Sequence, residues 1–290
     1  MRRYKRKLPD YLFDGLNLIF LLFVVFITVY PFWYILVGSF SPITQIIREG
    51  LLLWPEEFRL DAYQTVLKNP LIPRSYGNTI FITVVGTSFS MVLTILGAYA
   101  LSKKYLPGKT FLTLMVIITM LFNGGLIPTY LTVKGLGFGD SLWTLIIPSA
   151  LSPFNMIVMR NFMAGVPASL EESASIDGAS HWTILSRIYL PLSMSVIATI
   201  ALFYAVGYWN AFFNAIIYIS NKDFWPVQVI LREALVAGRT DDLMRDGVVS
   251  SPPETMKMAL VIITVVPILL VYPFIQKYFV KGIMVGSLKG

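Results

Sequence analysis

The sequence predicts an all-α, polytopic membrane protein, and three observations carry that expectation. The chain is 56% hydrophobic and only 13% charged over 290 residues. Its mean hydropathy of +0.70 is far too high for a soluble domain of this size. Uncharged runs of about 20 residues, enough to cross a ~30 Å hydrocarbon core, alternate with stretches that gather the charges and prolines. Six such runs are read as transmembrane helices.

The basic cluster from Met1 to Lys7 precedes the first run, residues 15–40. That run is longer than the apolar part of a signal peptide, about 7–15 residues, and no A-x-A cleavage signal follows, so it reads as an uncleaved span. Residues 41–76 collect charges and Pro42, Pro55, Pro70 and Pro73, and form an extramembrane loop. The second span is 77–101, closed by Lys103, Lys104 and the turn Pro107-Gly108. The third, 110–133, contains Asn123-Gly124-Gly125 and Pro128, which predict a kink or unwinding near one end. The fourth is 141–159, with Pro148 and Pro153 inside it, and the fifth is 192–219. A polar loop at 220–255 leads to the sixth, 258–276, and the tail KYFVKGIMVGSLKG.

Lysine and arginine in short loops stay on the cytoplasmic side of a membrane. The N-terminal cluster and the 102–109 loop carry basic residues and no acids, so both termini are expected in the cytoplasm. The segment between the fourth and fifth spans, 167–191, is then cytoplasmic as well.

That segment, PASLEESASIDGASHWTILSRIYLP, reads as helix, tight turn, helix. Ser169 is expected to cap the first helix, with Glu172 completing a capping box three residues on. Asp177-Gly178 stops it after two turns, since glycine enters the left-handed region freely. Ser180 caps a second helix that ends at Pro191. The product is a short, stiff knob on which Glu171, Glu172 and Asp177 supply charges that fix register against a partner, while Ala174 and Gly178 permit close approach.

Several functions are excluded. Without cysteine there is no thiol catalysis, disulfide, Cys-ligated zinc or iron-sulfur cluster. A single histidine, His181, rules out an H-E-x-x-H metalloprotease. The net charge of +7 sits near the ends of spans rather than on a reading face, which argues against nucleic acid. Gly108-Lys109-Thr110 superficially resembles the end of a phosphate-binding loop, but Lys103 stands where the leading glycine belongs. The uncharged runs hold no ionisable carboxylate, amine or imidazole. A charge at a helix centre costs about 2.5 to 3.5 kcal/mol on insertion scales and is kept chiefly for ion coupling or chemistry. The chain is therefore expected to be neither an enzyme nor a proton-coupled carrier, to bind no cofactor, and to draw its energy from another polypeptide.

The polar groups inside the spans suit a sugar, whose C–H faces stack on rings and whose hydroxyls need amide partners. The candidates for a substrate pathway are Asn123, Asn155, Tyr208, Trp209, Asn210 and Asn214, with Tyr204 on the face of Tyr208.

Within the knob, Glu172-Ser173-Ala174, three residues, Gly178, nine residues, Ile188, one residue and Leu190-Pro191 resemble the EAA motif of binding-protein-dependent ABC importer permeases, with serine at the middle position. Trp209-Asn210 resembles the fifth helix of the carbohydrate-importing members, although no proline follows before Pro226. The ending Gln276 to Gly282 with Lys289-Gly290 is similar to that of the maltose-permease-like subfamily, and Phe122 to Pro128 to its pectin- and alginate-type oligosaccharide branch. The resemblance implies a type I ABC importer transmembrane domain: residues 1–76 as entry helix and outer loop, 77–280 as permease core, 281–290 as tail. It also implies that 169–180 is the coupling helix seated on an ATPase, with Glu171, Glu172, Ser173, Ala174, Asp177, Gly178 and Ala179 at the contact. Implied partners are a second homologous permease, a dimeric ATPase that holds ATP and Mg, an extracytoplasmic sugar-binding protein docking at 221–254, the sugar and the bilayer. The alternative from another class is a facilitator or secondary carrier, which would transport without ATP.

Overall fold

The computed structural model describes residues 8–236 and 252–287, with side chains over 11–236 and 252–270. The basic cluster at 1–7, the charged stretch 237–251 and the terminal Lys289-Gly290 lie outside it. Among the described residues the regular structure is wholly helical. The chain divides into two compact units, Met1–Asn69 with Gly238–Val265, and Pro70–Ala237 with Val266–Gly290.

The first unit is built on α1 (Leu8–Phe40), a 33-residue helix whose apolar side chains from Leu12 to Val29 are exposed, as lipid contact requires. Beyond it lie α2 (Ile43–Arg48) and α3 (Asp61–Lys68), helices in a region expected only as a loop. Aromatic stacking forms this cap: the Phe40 ring lies 4.5 Å from Phe58 and 4.8 Å from Tyr63. Buried Gln45 donates to Glu49 and to the Trp54 carbonyl and accepts from the Glu56 amide, so an irregular segment keeps its polar groups paired.

The second unit is organised around α4 (Leu71–Ser102). Its C-terminal carbonyls draw cations, as a helix C-terminus favours: Arg160 donates to the Leu101 carbonyl and Lys109 to that of Ser102. α5 (Lys109–Leu121) and α6 (Leu126–Gly135) are bent by 116° at the Asn123-Gly124-Gly125 break. Gly125 takes φ +87° there, which glycine tolerates.

The expected fourth span is not one helix. α7 (Trp143–Ile146) is a single turn, and α8 (Pro153–Ala164) begins afresh with Ser152 as its cap and Pro153 in the first turn. Each proline removes a backbone donor, so Pro148 and Pro153 break the run rather than ride inside it. After α9 (Ala168–Ile176) come α10 (His181–Ile184), a π-helical turn over Leu185–Tyr189, α11 (Leu190–Leu192) and α12 (Met194–Trp209). The bend into α12 is 83°. The helix thus runs through Pro191 and turns two residues later, at Ser193.

The expected fifth span likewise stops at Trp209 and resumes as α13 (Phe213–Tyr218). It breaks without a proline; the Asn210 side chain bonds back to the Val206 carbonyl, competing with the helix ladder. A 3-10 turn at Lys222–Phe224, α14 (Val227–Val236) and α15 (Pro253–Ser287) complete the chain. Among the described residues three helices are long and apolar enough to cross a membrane, or up to five if each bent pair is one span.

α12 packs along α4 through two tyrosines. Tyr204 Oη lies 2.8 Å from Thr94 Oγ1 and Tyr208 Oη 2.9 Å from Ser90 Oγ, all four residues buried. Tyr204 also accepts from the Ser152 amide at 3.0 Å, fixing the start of α8. Tyr204→Phe leaves that buried N–H and Thr94 without a partner. Loss of about 1–3 kcal/mol is expected, read as a lower Tm of the purified protein in detergent; an unchanged Tm would mean water replaces the phenol.

Candidate functional site

Two places gather the residues singled out in the sequence. The first is the knob. α9 opens on Pro167, whose φ of −57° starts the helix, and no side chain caps it. The capping box is therefore absent: Ser169 lies inside the first turn instead of before it. The C-terminal half is as expected. Gly178 takes φ +78° and donates to the Ser175 carbonyl, while Ala179 donates to that of Ala174. This is the paired arrangement that ends a helix in a left-handed glycine, with its small apolar contact between Ala174 and Ala179. The spacing from Ala174 to Gly178 thus has a local cause. Ser180 accepts from the Thr183 amide and caps α10.

The knob has an outer and an inner face. Glu172, Ser173 and Asp177 are exposed, and beside them Ile176 is 87% and Trp182 69% exposed, large apolar groups in water that Glu172 and Asp177 border. Glu171 does not join them. Its side chain is 16% exposed and its Oε2 lies 2.8 Å from Lys103 Nζ, just beyond the end of α4. Tyr189 donates to the same oxygen at 2.7 Å and Tyr105 to Oε1 at 3.1 Å. Glu171 thus has three partners within the chain, where the sequence led to the expectation of an outward contact.

Lys103, 6% exposed, lies 4.0 Å and 3.9 Å from the ring centroids of Tyr99 and Tyr189, so two π faces and a carboxylate replace its water. Burial lowers the Lys103 pKa, outweighing Glu171. Burial alone would raise Glu171, but the bonds from Lys103, Tyr189 and Tyr105 together hold its carboxyl below the usual value. A depressed carboxylate stabilises the fold above its ordinary pKa of 4.5, and that contribution is lost as the pH falls through the lower folded value.

The second place is a cavity of about 370 Å³ bounded by the α7–α8 connection, α12 and α13. Asn155, Tyr208, Asn210 and Asn214 all line it, with Tyr204, Ser149, Ser152 and the rings of Phe203, Phe212 and Phe213. The lining contains no carboxylate, amine or guanidinium. The side-chain amides of Asn155 and Asn214 make no hydrogen bond among the described residues, whereas Asn210 bonds to Val206 and accepts from Gln228.

The structure does not bring Asn123 or Trp209 to this cavity. Asn123 accepts from the Gly125 amide at the α5–α6 break, and Trp209 meets Tyr76 edge-on at 6.5 Å. The phenylalanines and the Ser149/Ser152 pair were not singled out in the sequence. Adjacent Phe212-Phe213, between two asparagines, was the available signal.

Long apolar helices, sharply bent helix pairs and a polar cavity among them define a membrane transport protein. The chain belongs to the family of binding-protein-dependent transport system inner membrane components, which it matches over residues 1–285. It is 46% identical over 282 residues to the polygalacturonan/rhamnogalacturonan transport system permease protein YtcP of Bacillus subtilis (strain 168), covering 96% of this chain and 99% of that one. It is 47% identical over 283 residues to protein LplC of the same organism, covering 96% and 95%. Among solved structures it is similar to a chain of a bacterial ABC transporter involved in the import of the acidic polysaccharide alginate, with TM-score 0.90, 33% identity and coverage of 96% and 100%. It is a multi-pass inner-membrane protein of the ABC importer type.

Proposed function

We propose that this chain is one half of the pore of an ATP-driven oligosaccharide importer, paired with a second homologous permease and driven by a dimeric ATPase that docks on the outer face of α9 and α10. The observation that carries the reading is the two-faced knob: Glu172, Ile176, Asp177 and Trp182 are exposed and have no side-chain partners among the described residues, on an element whose other face is fastened inward. In this reading the chain crosses six times, which keeps both termini on one side, and the basic 1–7 cluster and 102–109 loop support the cytoplasmic side for them and for the knob. α1, α4, the α5–α6 pair, the broken α7–α8 stretch, the α10–α12 pair and α15 supply them, with 77–280 as the core. A sugar-binding protein delivers from the other side, and alternating access passes the cargo through the amide-lined cavity.

The relatives' names, polygalacturonan/rhamnogalacturonan and alginate, support a carboxylate-bearing oligosaccharide as cargo. A cavity lined by amides and rings, with no carboxylate to repel it, is compatible with such a sugar. The test is to purify the assembled complex and measure ATPase stimulation by binding protein charged with oligogalacturonate or with a neutral oligosaccharide of equal length. Stimulation by the neutral sugar alone would overturn the cargo class, and turnover of transport without ATP would overturn the importer. In the same complex Asn155→Ala and Asn214→Ala are each expected to raise the transport KM about fivefold, the worth of about 1 kcal/mol for one lost hydrogen bond. An unchanged KM in both would remove the cavity from the pathway.

A further inference from the structure

We propose that Glu171 and Lys103 form an internal latch that fastens the coupling helix α9 to the end of α4, so that displacement of α9 is delivered to the walls of the cavity. The inference rests on the coupling reading above and gives Glu171 the opposite orientation from the one its place beside the motif suggests.

The geometry has three parts. First, one carboxylate joins three elements: Glu171 on α9, Lys103 capping α4, and Tyr189 on the π-helical turn that leads into α12. Second, Lys103 is buried between two rings that are themselves 5.0 Å apart and edge-on, with the partly buried Glu171 carboxylate as its counter-ion. A buried ammonium resists separation from its carboxylate because it would be left without a counter-charge or water. Third, both helices reached by the joint also hold the cavity. Thr94 and Ser90 on α4 bind the hydroxyls of Tyr204 and Tyr208 on α12, and both tyrosines line it. From Lys103 to Thr94 is nine residues of helix, about 14 Å. A rigid rod therefore runs from the latch to the cavity wall. Glu172, next in sequence but exposed, remains the outward-facing charge.

Glu171 and Lys103 are positioning residues, and the test must separate them from a merely structural pair. The chain has no cysteine, so Lys104→Cys with Ala168→Cys, both exposed and the second on the Glu171 side of α9 rather than on its outer face, accepts one spin label at each end of the joint. In the assembled complex the distance distribution is expected to be narrow with the latch intact and at least twice as wide after Glu171→Gln or Lys103→Met. Sugar imported per ATP hydrolysed is expected to fall at least threefold in each, while the ATPase still co-purifies. The two losses should not add in the double variant, since each breaks the same joint. Distributions as narrow as wild type, or loss of the ATPase from the Glu171→Gln complex, would overturn the latch. Should the Glu171→Gln permease fail to fold and reach the membrane at all, Tyr105→Phe, which removes one bond at the exposed edge, is expected to widen the distribution to a lesser degree; no widening there would count against the proposal equally. Failure of the coupling reading itself shows separately, as full stimulation in Gly178→Leu.

Discussion

Gly178→Leu is expected to remove most of the ATPase stimulation that loaded binding protein gives to the complex. At φ +78° a leucine is strained by about 1–2 kcal/mol, although no atom lies within 4 Å of an added Cβ. The effect therefore comes from the backbone rather than from a clash. Relief of that strain breaks the paired bonds from Gly178 to Ser175 and from Ala179 to Ala174, and re-aims α10 with its Trp182 relative to α9. Gly178→Asn, which enters the left-handed region at less cost, is expected to keep most of the stimulation. Full stimulation in the leucine variant would remove the coupling role from the knob.

The second large effect is expected at Gly86, on the face of α4 that meets α12. A Cβ there would lie 2.8 to 2.9 Å from three ring carbons of Tyr208, so even alanine collides. The ring cannot yield easily: it is 5% exposed, and its hydroxyl is tied to Ser90 and to the Ile146 carbonyl. Gly86→Ala should cost about 1–3 kcal/mol, the range for overpacking a filled core, with a lower Tm and less assembled complex. Gly86→Ala with Tyr208→Leu is expected to recover only part of the Tm, since it removes the obstructing ring together with its bonds to Ser90 and the Ile146 carbonyl. An unchanged Tm in the single variant would show that α4 and α12 slide apart at no cost.

Much of this was legible in the sequence because its causes are local. The left-handed glycine at 178, the Ser180 cap and the break at Asn123-Gly124-Gly125 each follow from the conformational limits of one or two residues. Four of the six pathway candidates line one cavity, but not through the helical spacing expected of them: α12 ends at Trp209 and α13 starts at Phe213, so Asn210 and Asn214 reach it across a break in the helix. Asn123 and Trp209 are polar or amphipathic for local reasons, a turn bond and an aromatic edge contact, which composition cannot separate from a role in a cavity. The orientation of Glu171 was illegible for a different reason. Its partner, Lys103, is 68 residues away and looks in sequence like an ordinary basic marker at the end of a span. Pro148 and Pro153 were visible, but whether a proline bends a span or ends it depends on what satisfies the freed backbone, here Ser152 at the start of α8.

The hydroxyls of the two tyrosines of α12 that line the cavity are bonded to Thr94 and Ser90 of α4, the Ser152 amide and the Ile146 carbonyl. Their strongest polar contacts are already taken by α4 and the α7–α8 connection, which leaves the amides of Asn155 and Asn214 and the flat faces of the aromatics to greet a visitor. Such a wall grips weakly and at few points. For a passage this is an advantage, because residence time limits throughput: a surface that bound its cargo tightly would hold each molecule through many cycles. Under the proposed function, tight discrimination belongs upstream, with the protein that delivers the sugar, and the cavity is a place of brief residence.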